Sequence, residues 1–258
     1  NERSADEGNG VYLQRRSAGE AVDSEPRLEV NHQFDKSSQF SSSFHKYAQR
    51  YMAQGIHFFS PLQPLYELQI ASLFARHLGS YHDTFISCNQ SHGNRRWCRS
   101  CEKCAFVYAL LSAFLPTDRV VRIFGKDLFA DIKMVPIYEE LLGRKAGLHH
   151  TKPFECVGEA KETLVALALA RKRRTGTDKE DLPICFKKLG QILDEASAQE
   201  VDHYLGGDID SLASSTPSSN TVLTELFPGW WRWPHGWLEG LQEEVEWARS
   251  ALSVKQNP

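Results

Sequence analysis

The sequence has no apolar run approaching the ~20 residues that span a bilayer. It has no glycine-rich loop of the P-loop type for cradling phosphates. No internal repeat is evident, and the opening residues, NERSADEGNG, do not read as a signal peptide. Charge of one sign is not in excess either. The net charge is -3, so nothing draws the whole molecule to nucleic acid or an anionic membrane. Those absences point to a cytoplasmic protein with neither a nucleic-acid nor a membrane partner. The 258 residues, 41% of them hydrophobic, suffice for one large domain or two smaller ones with a real core.

What is there is concentrated. Of the six cysteines, four lie in SCNQSHGNRRWCRSCEKC, at Cys88, Cys98, Cys101 and Cys104. The spacing is C-x9-C-x2-C-x2-C. Two interlocked CxxC steps let one tight turn aim three thiolates at a point, and the loop Asn89 to Trp97 is long enough to bring in the fourth. Four soft thiolates in a tetrahedron suit zinc in a structural role, with no open position for catalysis. An iron–sulfur cluster is the rival occupant. Disulfides are disfavoured in a chain that otherwise reads as cytosolic. His92, inside the loop, is an alternative to Cys88 as a ligand. The run Thr84 to Ser87 reads as a strand, so the knuckle would staple a strand-to-helix crossover, with a helix over Ala105 to Leu115.

Elsewhere the pattern is mostly helical. Leu28 to Phe34 alternates like a short strand. Phe40, Phe44, Tyr47 and Tyr51 recur at helical spacing and predict an amphipathic helix with a core-facing aromatic stripe. Helices follow at Leu65 to Leu78 and Glu159 to Arg174. The second ends in Arg171, Lys172, Arg173 and Arg174, a charge run that suits a helix C-terminus and reads as a solvated face. Ser211 to Asn220 is a low-complexity loop. Gly206 to Ser211 (GGDIDS) imitates a pyrophosphatase loop but has one residue too many and follows a helix end rather than a strand.

Two polar stretches read as candidate sites. The first, Asn1 to Gly10, offers Glu2, Arg3 and Asn9 for substrate binding. The second, Lys152 to Gly158 (KPFECVG), mixes a base, an acid and a thiol. Cys156 is the candidate base for proton transfer, with Glu155 as helper and Lys152 as a substrate-binding cation. A nearby cation and the start of the Glu159 helix would lower the thiol pKa. The two stretches are expected to face one cleft.

Several stretches together resemble a known family. The knuckle is similar to the four-cysteine site of 7-cyano-7-deazaguanine synthases, which have an adenine nucleotide α-hydrolase-like (ATP-pyrophosphatase) fold. NERSADEGN, EVNHQFDKS, HFFSPLQPLYELQIA, ISCNQ, RWCRSCEKCAFVYALLSAFLP, FGKDLF and KPFECVGE resemble the bacterial UDP-N-acetylmuramoyl-L-alanyl-L-glutamate epimerases. The resemblance covers most of residues 1 to 160 in patches and is loose beyond. It implies epimerisation of the terminal L-glutamate of a UDP-muramoyl dipeptide in peptidoglycan synthesis. ATP and magnesium would drive the reaction through adenylation of the carboxylate. It further implies an α/β fold: residues 1–116 as the C-terminal part of an ATP-pyrophosphatase-like domain, then a mainly helical domain over 117–258. The ATP loop would lie upstream of Asn1, so the chain is expected to be the C-terminal part of the enzyme and inactive alone. Two other readings stand beside this one: a deazaguanine-type carboxylate-adenylating enzyme, and a zinc-ribbon interaction module.

Overall fold

The computed structural model describes residues 34–88, 90–91, 96–144, 157–174, 182–207 and 232–253. The expected site residues Glu2, Arg3, Asn9, Lys152, Glu155 and Cys156 lie outside them, as do His92, the Ser211 to Asn220 loop and all of the Leu28 to Phe34 segment except Phe34. The chain falls into two units, Asn1–Gln63 with Thr216–Trp231 and Pro64–Ser215 with Arg232–Pro258.

In the first unit, helix α1 (Ser38–Tyr47) is capped by the Ser37 hydroxyl, which accepts the Phe40 N–H, and continues as a π-helical turn, Ala48–Met52. The aromatic stripe forms as expected. Phe40 stacks on Phe44 at 5.8 Å, and Phe44 meets Phe58 edge-on at 4.7 Å. Its far end does not face a core, since Tyr47 and Tyr51 are exposed.

The second unit is built round two helices whose central turns are apolar on every side, α3 (Glu102–Ser112) and α6 (Ala160–Arg174). Residues 104–111 of α3 and 162–170 of α6 are all buried. A helix without a polar face must sit inside, and these two pack on each other. Around them lie α2 (Glu67–His77), α4 (Thr117–Phe124), α5 (Val135–Leu141), α7 (Ile184–Leu193), the single turn α8 (Ala198–Val201) and α9 (Trp237–Ser253). Phe129, Tyr138 and Phe186 fill the space between α3, α5 and α7, with Phe129 4.4 Å from Phe186. Gly125 ends α4 in the left-handed region, at φ 74, where a side chain is strained.

No strand occurs among the described residues, and none of their helices is long and apolar enough to cross a membrane. The strand expected at Thr84 to Ser87 is therefore corrected. Thr84 closes a turn, its N–H bonded to the Tyr81 carbonyl, and 85–88 are irregular. The apolar residues of that run are explained by side-chain packing instead: Phe85 lies 4.9 Å from Phe74 and 5.4 Å from Trp97. With no strand among the described residues to pair with, an apolar tripeptide has no ladder to join there. The α/β layer expected from the sequence is absent from the described residues, which are helical. The short segments read between Thr117 and Leu142 are helical turns and helices.

Candidate functional site

The four cysteines converge. Their sulfurs all lie within 4.8 Å of one another, with Cys98 to Cys104 at 3.6 Å and Cys88 to Cys101 at 3.9 Å. A Zn–S bond of about 2.3 Å puts tetrahedral sulfurs about 3.8 Å apart, so the donor set and its spacing fit a metal ion. Backbone amides support the sulfurs: the Cys98 N–H points at Cys88 Sγ and the Cys104 N–H at Cys101 Sγ, both at 3.4 Å. Arg99 takes a positive φ of 64 in the turn between Cys98 and Cys101, inside the first CxxC step. Cys101 is also the N-cap of α3, so the knuckle and the most buried helix share a residue.

The electrostatics agree with a cation-demanding site. Burial alone would raise the Cys98 thiol, but hydrogen bonds from Ser100, Cys101 and Cys88 outweigh it and bring it down to about 6. Burial, with the neighbouring Cys98, pushes Cys101 up to about 11, and burial with Cys101 pushes Cys104 higher still. Four thiolates in this space need a bound positive charge.

A second polar cluster lies where α6 begins. Glu162, 2% exposed, directs Oε1 at the Leu68 N–H in the first turn of α2, 2.8 Å away. Its Oε2 accepts the Glu159 N–H at 3.3 Å, just ahead of its own helix. One carboxyl therefore spans the starts of two helices. Burial and the nearby Glu67 and Glu159 carboxylates push its pKa up to about 7, against the two N–H bonds that favour the charge. Beside it the Tyr204 hydroxyl donates to Glu159 Oε2 at 2.7 Å, and Tyr66 shares a hydrogen bond with His203 at 3.1 Å. Gly158 is required here. A Cβ on it would run into Glu162 Oε2 and come within 2.6 Å of the Phe106 ring.

The sequence stopped at Gly158 when it marked KPFECVG, and took Glu159 only as the start of a helix. Glu162 was missed because an acid in the first turn of a helix is ordinary, and its burial comes from α2, more than ninety positions away in the chain. The one available signal was the glutamate three residues after Glu159, the spacing of a cap.

The basic run at the end of α6 is corrected from a solvated face. Arg171 bonds the Gly190 carbonyl and Asp194; Arg173 reaches the Ala113 carbonyl and Glu244 and lies 3.9 Å over the Trp247 ring. Arg174 is paired side-on with Asp127, at 2.7 and 3.2 Å, and bonds Tyr108. These arginines tie α6 to its neighbours. Gly206 and Gly207 close the π-helical turn Asp202–Gly206 against Gln69, with no strand before them, which agrees with discounting GGDIDS as a phosphate loop.

Comparison with known proteins bears on the second unit most. Residues 84–202 match the model of the MurL C-terminal domain. The chain is 42% identical over 145 residues to a protein of Salinispora tropica named UDP-N-acetyl-alpha-D-muramoyl-L-alanyl-L-glutamate epimerase, covering 55% of this chain and 31% of that protein. A protein of the same name from Xanthomonas oryzae pv. oryzae is 38% identical over 169 residues, covering 63% of this chain and 36% of that protein. A third, from Micromonospora sp., is similar at 42% over 145 residues. The chain spans about a third of the length of these curated relatives. No solved structure matches it.

Proposed function

We propose, on the premise that residues 84–202 belong to the MurL C-terminal domain family, that this protein takes part in epimerising the terminal L-glutamate of UDP-N-acetylmuramoyl-L-alanyl-L-glutamate to the D form, in cytoplasmic peptidoglycan synthesis. The observation that carries the proposal is the identity of 38–42% to relatives so named, together with the family match over 84–202, which includes the knuckle.

The chemical problem is a weakly acidic C–H beside a carboxylate. ATP with magnesium would supply adenylation of that carboxylate, which makes its α-proton easier to remove. No described segment of this chain forms a phosphate-binding loop. What this chain would supply is acid–base chemistry and substrate binding. Cys156, helped by Glu155, is our candidate for one proton transfer, supported by the base, acid and thiol in KPFECVG and by the start of α6 four residues on. Glu2, Arg3, Asn9 and Lys152 are candidates for holding the substrate. The knuckle holds zinc in a structural role, since four thiolates leave no open position. An ATP-pyrophosphatase-like layer ending near residue 116, followed by a helical domain, remains our reading of the domains.

The test uses enzyme expressed from the complete coding sequence, given the UDP-linked L-Ala-L-Glu precursor, ATP and magnesium in deuterium oxide. D-glutamate bearing α-deuterium is expected. Unchanged, undeuterated L-glutamate would end the epimerase reading. A Cys156→Ala variant with wild-type exchange in both directions would remove that residue from the chemistry. Metal analysis should find zinc, and iron in its place would make the knuckle a cluster site.

A further inference from the structure

Glu162 is a buried titratable group that the proposed chemistry does not use, and it lies at the junction of α2 and α6. We propose that it is a proton-operated latch: neutral, it holds the turn entering α6 against the start of α2, and charged, it releases that turn. The latch does not depend on the epimerase reading.

The two sides of the junction are held unequally. On the α2 side Glu162 Oε1 accepts the Leu68 N–H at 2.8 Å. That helix start is also anchored without Glu162, because Gln69 accepts the Tyr66 N–H at 2.9 Å and donates to the Leu205 carbonyl at 3.1 Å. On the α6 side Oε2 accepts the Glu159 N–H across a longer 3.3 Å. The entry turn is half-buried at Val157 and Gly158 and exposed at Glu159. Gly158 lies against Oε2 and the Phe106 ring of α3, so the turn's position follows the carboxyl. A further hold, the Tyr204 hydroxyl donating to Glu159 Oε2 at 2.7 Å, grips an exposed side chain. Of the two helix starts, the one entering α6 is therefore the one free to open.

Charge is what this position tolerates badly. The carboxyl is 2% exposed, and a carboxylate out of water is costly unless a cation pairs with it. Facing it are Glu67 from α2, Glu159 from the entry turn and the Tyr204 phenol from the π-helical turn. From α3 comes Phe106, with Lys103 5.8 Å from that ring's centroid. Lys161, next to it on α6, reaches Glu200 of α8 at 3.8 Å, and His203 bonds Tyr66. Among the described residues its partners are the two backbone N–H groups, with no ion pair. Those N–H groups favour the charge, but burial with Glu67 and Glu159 outweighs them and pushes the carboxyl up to about 7. With the turn open, water reaches the carboxyl, which then titrates near its ordinary 4.5. The closed form thus binds the proton more tightly than the open form. Closure is strongest below about pH 4.5 and is lost progressively as pH rises to about 7.

The experiment is hydrogen exchange read by mass spectrometry from about pH 5.5 to 8, on protein expressed from its complete coding sequence. Rates are corrected for the intrinsic base catalysis of exchange. Opening at the start of α6, followed in peptides over 158–166, should increase about 10- to 30-fold across that range. The start of α2, followed over 66–72, should stay flat. Glu162→Gln carries no charge and should show no pH dependence at either place. If that variant does not fold, Glu67→Gln decides. It removes one facing charge at an exposed position, and should make the rise smaller and end it at a lower pH. A wild-type α6 start whose opening does not change with pH overturns the proposal. So does an equal rise at both helix starts, an undiminished rise in Glu162→Gln, or an unmoved rise in Glu67→Gln.

Discussion

At the residue scale, two carboxyl groups, one half-buried and one buried, behave in opposite ways. Asp127 would be raised by its burial, but Arg174, Tyr108 and the Phe129 N–H hold it below the usual carboxylate range. Arg174 keeps only 9% of its side chain exposed, and Asp127 keeps 26%. Asp127→Asn leaves the guanidinium buried without its counter-charge. We expect a loss of about 3 kcal/mol, the lower end for breaking a buried pair because Asp127 is partly solvated. Urea unfolding checks this, and a variant as stable as wild type would mean the pair contributes nothing. Glu162 runs the other way, with a folded pKa of about 7 against 4.5 ordinarily. Between those values the unfolded chain gives up the proton and the folded chain keeps it. Glu162 therefore lowers stability progressively as pH rises from about 4.5 to 7, by up to about 3 kcal/mol, and adds no further pH dependence above that. Glu162→Gln should gain stability relative to wild type when unfolding at pH 5 is compared with pH 8. A difference independent of pH would contradict the burial argument.

At the scale of single elements, the knuckle and α3 depend on each other. Cys101 caps the helix and also contributes a sulfur, so removing a bound metal frees the cap as well as the loop. A strong chelator should lower the melting temperature and raise hydrogen exchange first in the opening turn of α3, at Lys103 and Cys104. Exchange that rises uniformly, or not at all, would argue against a metal that organises this helix. The same element shows how far sequence reading reached. The C-x9-C-x2-C-x2-C spacing located the four converging cysteines and the helix after them. It misjudged the lead-in, because Phe85 satisfies its apolar character against Phe74 and Trp97 rather than in a sheet. An apolar tripeptide looks the same in either setting.

At the scale of the molecule, stability of the second unit rests on one apolar centre between α3, α5, α6 and α7. Phe186 is 1% exposed and packs on Phe129, with the Arg174 guanidinium 5.9 Å from its centroid. Phe186→Ala should cost about 3 to 5 kcal/mol, as a ring-sized cavity opens that the surrounding helices cannot fill. Circular dichroism and tryptophan fluorescence should then melt together at a lower temperature. Separate transitions would show that α7 is not part of the same cooperative unit.

Local chemistry settled what could be read from the chain alone. Thiol spacing named the four cysteines that converge, 3.6-residue periodicity named most helices, and the motif sequences pointed to the epimerase family. The roles of charged side chains were decided only in three dimensions. Arg171, Arg173 and Arg174 look like a solvated helix end until α7, α9 and Asp127 close around them. Glu162 looks like an ordinary first-turn acid until α2 lays its first N–H groups over it. A buried charge is defined by the elements that exclude water from it, and those elements come from distant parts of the sequence.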